Sequence, residues 1–61
     1  MEKIEIEKLD LSFMCECNRK EYVNNCKRIN EAIETGYNTE QIVSLRFYNS
    51  LIVHCYSDTF I

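Results

Sequence analysis

The sequence has no proline, no tryptophan, one glycine (Gly36) and one histidine (His54). Without proline or a glycine-rich stretch there is no linker, no low-complexity segment and no phosphate-cradling loop, so residues 1–61 are expected to form one small domain, α+β by the patterning below. No apolar run approaches the ~18 to 20 residues that a bilayer-crossing helix needs, and the opening "MEKIEIEKLD" is alternating and charged, unlike a signal peptide. These absences predict a cytoplasmic protein without a membrane partner. In a reducing cytosol the four cysteines are expected to be thiols rather than disulfides. An excess of positive charge is lacking too: the formal net charge is -3, which argues against a broad nucleic-acid-binding surface.

What is present is an apolar content of 46% in 61 residues, near the lower size limit at which a core alone outweighs chain entropy. A supplement is therefore expected, and self-association is the simplest. From Leu9 the pattern alternates: Leu9, Leu11, Phe13, Cys15 and Cys17 fall on one face, and Asp10, Ser12, Met14 and Glu16 on the other, which predicts a half-buried strand over 9–17. Upstream, Ile4 and Ile6 have the opposite parity, so an irregularity is expected near Lys8 and Leu9. Asn18 with Glu21 resembles a capping box. Tyr22, Cys26, Ile29 and Ile33 then give a helical stripe, and Gly36 is a natural C-terminal stop. The prediction is a helix over 18–35.

Residues 41–48 and 51–57 alternate again and read as two strands joined at Asn49-Ser50. The expected fold class is thus α+β, with one helix packed on a three-stranded antiparallel sheet in the order strand, helix, hairpin. One helix covers only one sheet face. The other face would carry Met14, Ile42, Tyr48, Ile52 and Tyr56, too apolar for solvent, and the chain end with Phe60 and Ile61 or a second copy must cover it. A homodimer is the favoured expectation.

The chemistry-bearing residues are few. Cys15, Cys17, Cys26, Cys55 and His54 include enough donors for tetrahedral zinc, but Cys15 and Cys17 lack the spacing of a zinc knuckle, and face counting sends all four thiols into the core. No metal and no cofactor is expected. His54 and Cys55, adjacent on a strand, point to opposite faces and cannot act as a dyad. The expectation is a protein that is not an enzyme.

Charge placement is the stronger lead. The helix begins with Arg19 and Lys20 and ends with Glu31 and Glu34, the reverse of what its macrodipole favours, at a cost of about 0.3 to 1 kcal/mol per charge. Glu40 follows the stop, and Glu5 and Glu7 stand two apart upstream, about 6.6 Å on a strand. Gathered together, these carboxylates would offer a basic partner a surface resembling a nucleic-acid backbone. Tyr37, Tyr48 and Tyr56 are the aromatic candidates to seat beside them. A solubility-driven acidic surface gives the same pattern, and the basic segment with Arg19, Lys20, Lys27 and Arg28 leaves direct nucleic-acid contact open.

The segment "ETGYNTEQIVSLRF", residues 34–47, resembles the helix-to-strand region of the small uracil-DNA glycosylase inhibitors of tailed phages, with Gly36, Ile42, Val43, Leu45, Arg46 and Phe47 as the matching residues. The resemblance implies a homodimeric, non-enzymatic DNA mimic. It would bind a host DNA-processing enzyme, foremost uracil-DNA glycosylase; the contact residues expected from charge and aromatic placement, rather than from the resemblance, are Glu5, Glu7, Glu31, Glu34, Tyr37, Glu40, Tyr48 and Tyr56. The alternatives are an inhibitor of a bacterial defence nuclease and a small dimeric nucleic-acid-binding regulator.

Overall fold

From Glu16 to Thr35 the chain runs as one helix, α1, because no glycine or proline interrupts it and apolar or small residues recur at three- and four-residue spacing. The structure, a computed structural model, describes residues 2–36 and 39–57. Gly36 ends α1 in the left-handed conformation at φ 101°, and its N–H closes back on the Ala32 carbonyl, as predicted. The start differs from expectation. Cys15 is the extended residue before the helix, the Arg19 N–H reaches the Cys15 carbonyl, and Asn18 sits in the first turn rather than capping it. The buried stripe is Asn25, Cys26, Ile29 and Ala32, with Tyr22, Val23 and Ile33 half-buried.

A second helix, α2, spans Thr39–Ser57 and corrects the predicted sheet. Among the described residues there is no strand: 41–48 and 51–57 lie in this single helix, and of 9–17 the first seven residues form irregular chain and the last two the start of α1. The fold is a helical hairpin rather than an α+β sandwich. Two features explain why alternation misled. Residues 41–57 fit two periods, because Ile42, Leu45, Asn49, Ile52 and Tyr56 also recur at helical spacing. Asn49-Ser50, without a glycine, does not enforce a turn, and nineteen residues propagate more readily as helix once α1 offers a surface.

Asn25 and Asn49 mark the register. Both are buried between the helices, and the Asn25 Nδ2 donates to Asn49 Oδ1 at 3.0 Å, while the Asn49 Nδ2 reaches Cys26 Sγ at 3.5 Å. A buried amide pair is satisfied in one register only, so it selects that alignment at some cost in burial. Nearer the turn, Ile29 and Ala32 of α1 pack on Ile42 and Leu45 of α2, with Ile4 and Ile33 against them.

Ile4 belongs to an arm, residues 2–15, that crosses the hairpin antiparallel to α1. Asn30 holds the Ile4 backbone from both sides, accepting from its N–H at 2.6 Å and donating to its carbonyl at 2.9 Å. One 3-10 turn, Ile6–Lys8, supplies the irregularity expected near Lys8. Met14 is buried and Phe13 exposed, opposite to the face assignment made for a strand. With no neighbouring strand to hold a pleat, the segment follows the helices' surface instead.

Candidate functional site

The hairpin brings the last turn of α1 and the first turn of α2 to one end, so Glu31, Glu34 and Glu40 share that end of the molecule. Their charges are partly matched. Lys3 of the arm reaches Glu34 at 3.2 Å, and Glu31 lines a shallow depression together with Arg28. Lys3 thus offsets a carboxylate that the α1 dipole disfavours, although so exposed a pair contributes only about 0 to 1 kcal/mol. Glu5 pairs with Lys8 at 2.8 Å, and Glu7 lies in the 3-10 turn, so these two do not form the predicted strand ladder. Tyr37 lies outside the described residues, as do Phe60 and Ile61.

Tyr48 and Tyr56 are not brought together with the carboxylates. Tyr48 is exposed on the middle of α2. Tyr56 sits at the open end of the hairpin, where its hydroxyl accepts from the Cys15 N–H at 3.0 Å and from Asn18 Nδ2 at 2.6 Å, with Phe13 edge-on to its ring at 5.5 Å. Of the four cysteines only Cys26 is buried; Cys15, Cys17 and Cys55 are exposed, which corrects the expectation that all four enter the core. Burial raises the Cys26 thiol above its ordinary pKa, with the Asn49 hydrogen bond opposing. Among the described residues, no group of three or more His, Cys, Asp or Glu side chains is placed to hold a metal ion. No helix there is long and apolar enough to cross a membrane.

The feature that the sequence reading missed is the outer face of α2. Val43 (60% exposed), Phe47 (61%) and Leu51 (44%) form a row at four-residue spacing, directed away from the buried Ile42, Leu45 and Asn49. Glu40 and His54, three residues beyond each end, extend the same line, and Tyr48 flanks it at 58% exposure. A helix that is apolar on both sides is ordinarily buried on both sides. The signal was available in the spacing Glu40, Val43, Phe47, Leu51, His54. A period-two reading instead assigned Val43, Phe47 and Leu51 to a sheet core.

Beside this row, the arm and both helices enclose an open cleft of about 640 Å³, whose polar lining is Tyr22, Arg46, Asn49, Ser50 and His54. Among the described residues no carboxylate lines it, in a chain whose net charge is negative. Burial raises the Tyr22 phenol above its ordinary pKa, with the nearby Cys26 acting in the same sense. The Tyr22 hydroxyl is thus a neutral group at physiological pH.

Comparison of the chain with family models, with curated proteins and with solved structures finds no match.

Proposed function

We propose that this protein is a non-enzymatic binding protein that works as a homodimer joined through the outer faces of two α2 helices. The observation that carries the reading is the exposed row Val43, Phe47 and Leu51 on a helix whose other face is already the core. The row is symmetric about Phe47. Two copies crossing antiparallel set Phe47 against Phe47, Val43 against Leu51, and Glu40 of each copy beside His54 of the other, the self-complementary arrangement that a two-fold interface requires. A parallel pairing would instead oppose glutamate to glutamate and histidine to histidine, which favours the antiparallel order.

In such a dimer the two hairpin ends carrying Glu31 and Glu34 point away from each other and stay accessible to a basic protein surface, while Glu40 is taken up by the interface. This is what remains in support of an inhibitor that offers carboxylates to a DNA-processing enzyme. The resemblance to glycosylase inhibitors lends the idea no structural support, because the matching residues 42–47 are in α2 and not in a strand.

Sedimentation equilibrium tests the dimer. The chain is expected to run at about twice its 7.3 kDa mass, and Phe47→Asp at the monomer mass with unchanged helical circular dichroism. A wild-type monomer at the highest attainable concentration removes the reading. Titration into a uracil-excision assay tests the target separately: undiminished excision with excess protein excludes the glycosylase and leaves the dimer untouched.

A further inference from the structure

Cys15 and Cys17 flank the first residue of α1, and their sulfurs lie 3.3 Å apart, both exposed. Across the open end of the hairpin, the Tyr56 hydroxyl donates to Cys15 Sγ at 3.3 Å while accepting from the Cys15 N–H and from Asn18 Nδ2. The two sulfurs need to close by only about 1.3 Å to reach disulfide bond length. A vicinal pair, solvent access, and a hydroxyl aimed at one sulfur at a helix N-terminus make up the surroundings that distinguish a reactive thiol from an inert one.

We propose that Cys15 and Cys17 form a redox-responsive dithiol that closes reversibly to an internal disulfide by exchange with a low-molecular-weight disulfide such as glutathione disulfide. Cys15 is the attacking group and Cys17 the resolving one. The Tyr56 hydroxyl first, then the Asn18 backbone N–H and the Cys17 thiol, stabilise the Cys15 thiolate and bring its pKa down to about 7; the same Cys15 sulfur, by hydrogen bond and charge, pushes Cys17 up. The Cys15 thiolate attacks one sulfur of glutathione disulfide, giving a mixed disulfide and releasing one glutathione thiolate, which takes up a proton. Cys17, losing its proton to solvent, then attacks the Cys15 sulfur of the mixed disulfide and displaces the second glutathione. In balance, two protein thiols and one glutathione disulfide become one protein disulfide and two glutathione thiols, and two electrons pass to the glutathione disulfide. The Tyr56 hydroxyl loses its thiolate acceptor, so oxidation weakens the contact that fastens the end of α2 to the start of α1.

Intact-mass analysis and peptide mapping of the full chain exposed to glutathione disulfide test the proposal. The wild type is expected to lose two hydrogens and to yield a Cys15–Cys17 disulfide, while Cys17→Ser stops at a glutathione adduct on Cys15. Iodoacetamide at pH 7 is expected to alkylate Cys15 about threefold to fourfold faster than an unperturbed peptide cysteine, the gain in thiolate exceeding the loss in nucleophilicity. Tyr56→Phe is expected to bring that rate down toward the peptide value, the Asn18 and Cys17 contacts remaining, with helical circular dichroism retained. Adducts accumulating on the wild type without the internal disulfide would overturn the assignment, as would a Cys17→Ser chain unmodified at Cys15. Trapping in Cys17→Ser does not depend on whether Tyr56→Phe folds.

Discussion

The two helices have nearly equal lengths and opposite surfaces. α1 shows one buried stripe and a charged outer face that includes Lys20, Lys27, Arg28 and Glu31, so water satisfies whatever the hairpin does not cover. α2 has the same kind of inner stripe but carries Val43, Phe47, Tyr48 and Leu51 outside, where α1 has its charges. Packing against α1 therefore completes one helix and only half of the other. The difference teaches that the inner stripe holds the hairpin together while the outer row is left open, so that, if the proposed dimer forms there, substitutions on the two sides of α2 should separate stability from association.

The largest expected effect is on the inner side. Ile29→Ala, at a fully buried position in a core of a few side chains, should lower stability by about 2 to 5 kcal/mol, read by urea unfolding, whereas Leu51→Ala in Phe47→Asp, where α2 is unpaired, should change it by well under 1 kcal/mol. Equal losses would break the distinction between the two sides. Next comes the amide pair that aligns the helices. Asn49→Ala leaves the buried Asn25 amide without its acceptor and is expected to cost about 1 to 3 kcal/mol. Replacing both by leucine should recover most of that stability and broaden the amide NMR spectrum as register fidelity is lost. The smallest effect sits at the turn, where Gly36→Ala forces φ 101° on a residue with a Cβ, in open space and without a clash. About 1 kcal/mol is expected there, measured by the same urea titration, and a neutral outcome would show that the turn relaxes.

Much of α1 was legible in sequence because its signals agree: an apolar stripe at helical spacing, a lone glycine stop and no breaker inside. The rest of the fold was not, because the remaining signals conflict. Leu9 to Cys17 alternates over nine residues, yet alternation specifies a strand only if another strand lies alongside, and none does among the described residues. In α2 the β-branched and aromatic residues gave a period of two, while Ile42, Leu45, Asn49, Ile52 and Tyr56 gave a helical period at the same time. Asn49 was the decisive position: read as a turn residue, it proved to be the buried partner of Asn25, twenty-four positions away. The candidate site followed the fold. Glu31, Glu34 and Glu40 lie toward one end because they bracket the glycine in the chain, whereas Tyr48 and Tyr56 were assigned to a shared sheet face that is absent among the described residues.

By itself the sequence determined the helix before Gly36, the reversed charge order along α1 and the excess of apolar residues over what so short a chain can bury. Those are properties of composition and local spacing, which neighbouring residues settle among themselves. Only the tertiary structure decided that residues 39–57 are helical, that Lys3 answers Glu34, that Val43, Phe47 and Leu51 face outward, and that Tyr56 meets Cys15 and Asn18 across the open end. Each of those depends on contacts between residues far apart in the chain, and an ambiguous period is resolved only by the surface against which the segment comes to rest.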